Sequence, residues 1–377
     1  MAVRKKNRSK PATEIVSVPD VEEVDAIEEV REAFEAPMLP VRAEPGPTFA
    51  GWVARRGLLA AIIFGVLLAP QFVDNVRENM ISFALVYVVI GLSINILIGY
   101  AGQISLGHQA FVGVGAFTSA YIVSNSHLSF WIGLALAGLT GAGAALLLGL
   151  VALRLRGLYL ALITLAYGFV AQNSIFNIPA LTGGGAGAEA PRPAGFTGNK
   201  AFVYLCFIIL AVLMYVDWRL VRSKVGRAIF AIRENELAAA SFGINVTAYK
   251  LIAFVISGVF AGIGGSLFAH RSTVVVSADF NFALALTFVL MVVVGGLGSR
   301  VGVFIGSAFF ALFPLIFNRF SKYTGLIGAL LLLLTLTTFP GGIAQQIAPI
   351  LRWFGGAPLR GHGKSQVIQS GGAGVRP

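Results

Sequence analysis

Ten apolar runs, each long enough to cross a lipid bilayer, follow one another between residues 57 and 343. A helix that spans the hydrocarbon core needs about 20 consecutive, mostly apolar residues. Because lipid offers no hydrogen-bond partners to the backbone, runs of this length favour helices whose backbone bonds are satisfied internally. The chain is therefore predicted to be an all-α polytopic membrane protein with about ten transmembrane helices. The predicted spans are 57–73, 80–98, 104–123, 130–153, 158–178, 201–217, 249–269, 280–298, 301–318 and 323–343.

The composition excludes a large soluble protein. Hydrophobic residues make up 56% of the 377 positions, and charged residues make up only 12%. The 28 Lys and Arg residues and the 17 Asp and Glu residues are too few and too clustered to form the polar surface of a soluble fold of this size. The net charge of +11 does not indicate nucleic-acid binding, because the basic residues flank the predicted spans and do not alternate with exposed aromatic side chains.

The distribution of charge assigns the loops to two sides of the membrane. Cytoplasmic loops of membrane proteins carry an excess of Lys and Arg. An even number of spans puts both termini on one side, and a cytoplasmic N-terminus then places the basic loop after the fourth span, the segment 218–250, Arg300 and the C-terminal tail on that same side. Arg319 and Lys322 would lie on the opposite side and are the main exception to the pattern.

Three regions outside the spans are predicted to lie in water. Residues 1–56 form a cytoplasmic N-terminal extension that precedes the membrane domain, 57–343, and residues 344–377 form a cytoplasmic tail. The extension has a basic start and an acidic run, and we interpret it as a mostly disordered tail, with a short helix that docks on a partner as the alternative. On the outer side, the long Gly- and Pro-rich loop 182–200 is suited to contact with a molecule that arrives from outside.

No Asp or Glu lies in the interior of the predicted spans, and this bears on the source of energy. Ion-coupled transporters commonly bind the coupling cation with a carboxylate inside the membrane, whereas Asp74, Asp217 and Asp279 fall at or beyond the ends of the spans. The chain also lacks a G-x-x-x-x-G-K-[ST] phosphate-binding loop, an H-E-x-x-H motif and paired cysteines. We therefore predict no catalytic, metal or ATP site on this chain, and expect any uphill transport to take its energy from another subunit.

The segment 218–250 is a candidate docking surface for such a subunit. Residues 226–242 are rich in helix formers and are followed by Gly243, a common helix stop, so a short amphipathic helix is predicted there. The alanines at 238–240 would give this helix a small exposed surface beside two glutamates. That combination favours a protein groove, because alanines add little affinity for membranes. A helix that lies on lipid with its basic residues toward the headgroups is the alternative.

Two glycine-rich stretches interrupt the apolar sequence, "GYAGQISLGHQAFVGVGAF" at 99–117 and "GGLGSRVGVFIG" at 295–306. A broken helix exposes backbone groups that protein or a water-lined cavity must satisfy. Paired glycine interruptions in the two halves of a transporter are a sequence signal for the transport site. We therefore expect the breaks to face the pathway or a partner subunit, with Ser105 able to cap the helix that restarts there. The candidate pathway residues are Gly99, Gly102, Gln103, Ser105, Gly107, His108, Gly295, Gly296 and Gly298.

Helix packing is the alternative explanation for these small and polar residues. Small residues let helices approach closely in a bilayer, and for Gln103, Ser105 and His108 both interpretations stay open, since His108 can bond to a neighbouring helix. Packing is the favoured interpretation for the glycines inside the predicted helices, Gly113, Gly115, Gly138, Gly141 and Gly143.

Several stretches, in this order along the chain, resemble the LivM-type permease of branched-chain amino-acid ABC importers. The resemblance covers roughly 80–343 and is specific because its motifs recur at the family's spacing. It is carried by "GYAGQISLGHQAFVGVGAFTSAY" at 99–121, "TGG" at 182–184, "GRAIFAIRENELAAASFGIN" at 226–245, "YKLIAFVISGVFAGIGGSL" at 249–267 and "MVVVGGLGSRVGVFIGS" at 291–307.

The resemblance implies a set of partners and a role for the segment 218–250. A permease of this family pairs with a LivH-like sister permease, two cytoplasmic ATPases that hold ATP and Mg²⁺, and a periplasmic or surface-tethered substrate-binding protein. No cofactor is expected on this chain. The segment resembles the family's cytoplasmic coupling loop, although Leu237 stands where a strict E-A-A-x-x-x-G pattern has its Glu, and Glu236 is one residue early. The implied coupling residues are Gly226, Arg227, Arg233, Glu234, Glu236, Ala238, Ala239 and Gly243.

The implied function is uptake of leucine, isoleucine and valine through the bacterial inner membrane, driven by ATP hydrolysis on partner chains, with both termini cytoplasmic. The binding protein largely selects the substrate in this class, so the permease residues need not be selective. Permeases for urea or short amides look similar and form the second candidate. A facilitative channel that needs no ATPase is the third.

Overall fold

The computed structural model describes residues 69–316, apart from 154 and 156, together with residues 323, 326, 330 and 333. The predicted extension 1–56 and tail 344–377 lie outside the described residues, as do most of the predicted spans 57–73 and 323–343.

The described residues form an all-α membrane fold, as predicted. Each of the eight predicted spans between 80 and 318 corresponds to one of its helices. The α-helices are α1 (Asn75–Ile94), α2 (His108–Ser124), α3 (Phe130–Ala152), α4 (Leu158–Asn173), α5 (Pro179–Thr182), α6 (Asn199–Arg222), α7 (Lys224–Glu234), α8 (Glu236–Ser241), α9 (Val246–Ser272), α10 (Phe282–Gly295) and α11 (Arg300–Ile316). A π-helix, Asn95–Tyr100, continues α1.

Five helical stretches are long and apolar enough to cross a membrane: α1 with its π-helix, α3, α4 with the 3-10 turn that follows it, α6 and α9. The other three predicted spans correspond to α2, α10 and α11, which have 17, 14 and 17 residues. Each of these three shorter helices begins or ends at a glycine-rich interruption, as does the longer α1 through its π-helix. The count of ten spans stays a prediction.

Asparagine side chains cap the N-termini of three helices. Asn235 precedes α8, Asn245 precedes α9 and Asn281 precedes α10, and each side-chain Oδ1 accepts a hydrogen bond from a backbone N–H of the first turn, at 3.0–3.1 Å. Such N-caps satisfy backbone donors that the helix itself leaves unpaired.

Helix α9 lies at the centre of the bundle and packs on α1, α2 and α3. Glycines make these contacts close: a Cβ at Gly115 would lie 2.4 Å from the Cα of Gly262, and a Cβ at Gly141 would lie 2.4 Å from the carbonyl oxygen of Gly258. The packing role predicted for the helix-interior glycines is thus confirmed at these sites. At Gly143 it stays a prediction, because no described atom beyond its own stretch of helix lies within 4 Å of a Cβ built there.

The loops gather at two ends of the bundle, in the two sets that the charge pattern predicts. At one end, α7 and α8 lie against the turn after the π-helix and the start of α9. At the other end, the short strands β1 (Ala188–Glu189) and β2 (Val274–Val275) pair antiparallel, with Ala188 opposite Val275. We call these the α7–α8 end and the β end. The assignment of the α7–α8 end to the cytoplasm stays a prediction.

Candidate functional site

The first helix break consists of residues 101–107, between the π-helix and α2. Part of its backbone is satisfied by protein: the N–H of Gln103 donates to the carbonyl of Leu97 at 3.0 Å, and the N–H of Leu106 donates to the hydroxyl of Thr164 at 2.9 Å. Gly102 adopts a positive φ of 66°. Gly99, predicted as the first residue of the break, lies in the π-helix, two residues before the break begins at Ala101.

Gly107 ends the first break by direct contact with α4. A Cβ at this position would lie 1.8 Å from the carbonyl oxygen of Thr164. Gly107 also occupies the N-cap position of α2, where no side chain caps the helix. The prediction that Ser105 caps α2 is therefore wrong, because the helix begins at His108, three residues after Ser105, and Ser105 cannot occupy its N-cap.

The buried polar side chains of the first break differ in their partners. His108 is fully buried, and its Nε2 lies 2.7 Å from the hydroxyl of Ser93 on α1. Both polar atoms of the Gln103 side chain and the hydroxyl of Ser105 are buried without a hydrogen-bond partner among the described residues. Gln103 lines a cavity of about 80 Å³ together with Glu236 and Lys250, which form an ion pair. His108 thus uses one ring nitrogen in helix packing, while its Nδ1, like the polar atoms of Gln103 and Ser105, is buried without a hydrogen-bond partner among the described residues.

The second break, residues 296–299 between α10 and α11, lies against the π-helix that leads into the first break. Gly296 and Gly298 adopt φ values of 118° and 80°, which favour glycine. The N–H of Gly298 donates to Oδ1 of Asn95 in the π-helix at 2.9 Å. A Cβ at Gly99 would lie 2.7 Å from the nitrogen of Gly298. Gly295, the last residue of α10, packs on α11, where a Cβ would lie 2.2 Å from the carbonyl oxygen of Gly302. The structure therefore brings together two interruptions about 200 residues apart in the chain.

A buried ion pair beside the breaks was missed by the sequence reasoning. Helix α6 continues to Arg222, so Asp217 lies inside the helix and not beyond its end, and its side chain is 0% exposed. The carboxylate accepts hydrogen bonds from Arg300, the first residue of α11, and from the hydroxyl of Tyr100 at 3.1 Å. A second buried carboxylate, Glu78 in the first turn of α1, lies 3.8 Å from the Nζ of Lys200. Both acids lie near helix ends beside a cation.

The helix predicted over 226–242 is two helices. Asn235 leaves the helical conformation (φ −158°, ψ 109°) and caps α8, so α7 and α8 meet at an angle set by this residue. Gly243 follows α8 with φ 78°, which confirms the predicted stop. Gly226, in the first turn of α7, faces the end of α6, where a Cβ would lie 2.2 Å from the carbonyl oxygen of Leu220.

The surface that α8 presents differs from the predicted one at its central alanine. Ala239 is only 3% exposed and packs inside the chain, so it cannot belong to an exposed small face. Ala238 and Ala240 are exposed, and two large apolar side chains stand beside them: Leu237 is 76% exposed and Phe242 is 86% exposed. The available contact surface is therefore apolar and larger than three alanines.

The charged residues of α7 and α8 have separate contacts. Glu236 pairs with Lys250 of α9. Glu234 is exposed, and Arg227, also exposed, donates to the carbonyl of Arg222 at 3.1 Å. Arg233 turns toward the bundle, where its Nη1 donates to the carbonyl oxygen of Gly99. The predicted coupling residues thus do not share one face, and Arg233 alone among them bonds to a predicted pathway residue in the described part of the chain.

Two adjoining cavities lie beside the C-terminal part of α2, at the β end of the bundle. One, of about 280 Å³, has an apolar lining that includes Val114, Phe117 and Phe176. The other, of about 250 Å³, has a more polar lining that includes Asn125 and Glu189. Tyr121 lines both cavities. Helix α2 therefore connects the first break with a partly apolar, partly polar space at the opposite end.

Comparisons with known proteins agree on one family. The family described as branched-chain amino acid transport system / permease component matches residues 76–336. The chain is 33% identical over 328 residues to the high-affinity branched-chain amino acid transport system permease protein LivM of Salmonella typhimurium, a match that covers 80% of this chain and 77% of that protein. It is 32% identical to the protein of the same name from Escherichia coli, over 81% of this chain and 78% of that protein.

An archaeal relative is more distant. The chain is 26% identical to the probable branched-chain amino acid transport permease protein LivM of Methanocaldococcus jannaschii, over 62% of this chain and 79% of that protein. No solved structure matches the chain.

Proposed function

Because this chain belongs to the branched-chain amino acid transport system / permease component family, we propose that it is one permease subunit of an ATP-driven importer and forms half of a membrane pathway for leucine, isoleucine and valine. The observation that carries the proposal is the family match over 76–336, which includes both helix breaks and helices α7 and α8. The two bacterial relatives at 32–33% identity, both named as high-affinity branched-chain amino acid permeases, support the substrate class.

In this proposal the chain is not an enzyme, and its partners hold the ATP and Mg²⁺. Helices α7 and α8 dock on a cytoplasmic ATPase. Their exposed apolar side chains, Leu237 and Phe242, support this, because a pair of such side chains in water would be unusual without a partner. The short side chains of Ala238 and Ala240 leave room for an ATPase surface between them.

The solute pathway runs between this chain and a LivH-like sister permease in the bacterial inner membrane, with both termini cytoplasmic. The two breaks form its cytoplasmic end, and Gln103 and Ser105 are the pathway side chains best suited to hydrogen-bond a passing solute. Their buried polar atoms lack partners among the described residues, and burial without a partner is costly unless water or solute supplies one. The β end receives the substrate-binding protein, with the apolar cavity along α2 on the solute's route.

The proposal is tested by reconstituting the chain in proteoliposomes with its sister permease, both ATPases and the binding protein. We expect leucine, isoleucine and valine to accumulate only when ATP and the binding protein are present. Accumulation of urea or short amides in place of these amino acids would contradict the substrate class. Equilibration of solute in liposomes that lack the ATPases would indicate a facilitative channel and contradict the importer.

A further inference from the structure

Arg233, the penultimate residue of α7, touches both helix breaks. Its Nη1 donates a hydrogen bond to the carbonyl oxygen of Gly99. A Cβ built on Gly102, in the first break, would lie 3.2 Å from Cγ of Arg233, and one built on Gly298, in the second break, would lie 3.4 Å from Nη1. The aliphatic part of the side chain therefore packs on one break, and the guanidinium reaches the other.

The second break is also joined at this point to the π-helix that leads into the first break. Oδ1 of Asn95 accepts a hydrogen bond from the N–H of Gly298 at 2.9 Å, and the backbones of Gly99 and Gly298 leave no room for a methyl group between them. Closely packed interiors do not deform continuously, so displacement of one of these segments must displace the others or break their contacts. Arg233, Asn95 and the glycines of both breaks form one junction.

The chemistry of the junction suits arginine in particular. The carbonyl of Gly99 lies near the C-terminal end of the π-helix, where unpaired carbonyls carry partial negative charge and attract a cation. A guanidinium stays ionised and presents several donors in a rigid plane, whereas an ammonium is a compact group that reaches one acceptor at a time. The nearest acidic residue on α8, Glu236, is engaged with Lys250, and no described carboxylate forms an ion pair with Arg233.

We propose that Arg233 is the positioning residue that transmits movement of α7 and α8 to both helix breaks, so that the two breaks open and close together at the α7–α8 end. This inference rests on the proposed function, since it assigns the residue through which an ATPase docked on α8 acts on the pathway. Arg233 contacts neither the exposed face of α8 nor the solute. Its role is to hold the breaks in register with the helix that the ATPase moves.

The first experiment compares Arg233→Ala, Arg233→Lys and a matched control, Arg219→Ala, in the complete reconstituted importer. Arg219 is an exposed arginine at the same end of the bundle that makes no described contact with either break. We expect Arg233→Ala to keep its ATPases and its ATP hydrolysis while solute transported per ATP falls by about tenfold, a size typical of lost coupling between sites. Arg233→Lys should recover part of the loss, and Arg219→Ala should behave as wild type.

The second experiment cross-links α7 to the first break with a disulfide. The Cβ of Arg233 lies 3.8 Å from the Cβ position of Gly102, a separation suited to a disulfide, for which Cβ–Cβ distances are about 3.5–4.5 Å. Gly102→Cys with Arg233→Cys, in a Cys206→Ala background, should form a disulfide on oxidation. Because Arg233→Cys already lacks the guanidinium, the reduced double-cysteine protein, with its lowered solute per ATP, is the baseline. Oxidation should abolish the transport that remains and reduction should return it to that baseline, with the transport of each single-cysteine variant unchanged by oxidant.

Three outcomes would overturn the inference. Unchanged solute per ATP in Arg233→Ala would show that the contact transmits nothing. Loss of ATPase binding in that variant would make Arg233 part of the docking surface. Equal transport by the oxidised and the reduced double-cysteine protein would show that α7 and the first break never separate. Failure of the proposed function is distinguishable, because it appears in the wild-type complex as absence of ATP-dependent uptake of branched-chain amino acids.

Discussion

Hydrogen bonds between buried polar side chains link α2 to the helices around it. His108 bonds to Ser93 of α1, and Ser119 bonds to Ser266 and to His270 of α9 at 2.7 and 2.9 Å. Such bonds between helices replace the hydrophobic driving force that lipid does not provide. They hold α2 against its neighbours, although it begins at a break, and they account for one of the two ring nitrogens of His108.

At the scale of single residues, the π-helix and the second break approach closely only because Gly99 has no side chain. We predict that Gly99→Ala destabilises the protein, by about 1–3 kcal/mol, because its Cβ would lie 2.1 Å from Oδ1 of Asn95 and 2.7 Å from the nitrogen of Gly298. Gly143→Ala is the matched control: it also replaces a helical glycine, with no described atom within 4 Å, and alanine favours helix by about 1 kcal/mol. Thermal unfolding in detergent measures both, and equal midpoints would contradict the steric argument.

The ion pair of Asp217 and Arg300 gives a second prediction for individual residues. Arg300→Met leaves a carboxylate that is 0% exposed without its cation, and loss of one partner of a buried pair costs about 3–5 kcal/mol. Asp217→Leu combined with Arg300→Met removes both charges and should recover most of that loss. The measurement is again thermal unfolding in detergent. If Arg300→Met alone were as stable as wild type, the ion pair would be solvated enough to be dispensable.

At the scale of elements, all three of the shorter apolar helices adjoin a break, as does the longer α1 through its π-helix. Helices α2, α10 and α11 each start or stop at a break, and the turns there are made by residues with positive φ, Gly102, Gly296 and Gly298. A side chain at such positions is strained. Helix α7 contacts this region through Arg233, so the helices interrupted by the breaks are also the ones that α7 contacts.

The exposed face of α8 gives a prediction at this scale. Ala238→Arg should leave the permease folded but reduce recovery of the ATPases, because a bulky charge on an apolar docking surface is hard to desolvate. Ala239→Arg is a comparison and not a docking test, since Ala239 is 3% exposed and its substitution should destabilise the permease itself. Co-purification with tagged permease and thermal stability distinguish the two. Normal ATPase recovery with Ala238→Arg would place the docking surface elsewhere.

For the molecule as a whole, the two ends differ in chemistry. The α7–α8 end carries the Gly99–Arg233 contact, the Asp217–Arg300 pair and the Glu236–Lys250 pair. The β end carries the two-stranded sheet and the two cavities along α2. We expect the α7–α8 end to be cytoplasmic, since basic loops are retained on that side.

Cysteine labelling tests this orientation. In a Cys206→Ala background, Ser241→Cys and Ala194→Cys should react with an impermeant reagent from opposite sides of the membrane, because both positions are exposed, one at each end. Ala194 is a better site than Gly187, whose φ of 80° disfavours any side chain and whose Cβ would lie 2.7 Å from the carbonyl oxygen of Val275. Reaction of both from outside would contradict the topology.

The energy source also belongs to the whole assembly. The two described buried carboxylates, Asp217 and Glu78, lie near helix ends beside cations, which does not suit a proton relay through the membrane. Uptake at constant ATP should therefore be indifferent to collapse of the proton gradient. Proteoliposomes with an imposed pH difference and no nucleotide provide the contrary test, in which accumulation of solute would show that one of these acids carries protons.

The sequence by itself determined the class of fold, the approximate extent of eight helices, the two interruptions and the stop at Gly243. Hydropathy and glycine content are local properties, and a bilayer constrains them strongly enough to be read residue by residue. The sequence reasoning did not reveal that Asn235 divides α7 from α8, although an asparagine followed by helix formers is a recognised N-cap signal.

Only the tertiary structure decided which residues meet. It placed Gly99 against Gly298, paired Asp217 with Arg300, buried Ala239 and directed Arg233 to the breaks. Each of these contacts joins residues of different helices, or of one helix and the rest of the bundle, and depends on how the helices pack. Periodicity along the chain carries no information on that packing, because many helix arrangements bury the same apolar residues, and close backbone contacts at glycine select among them.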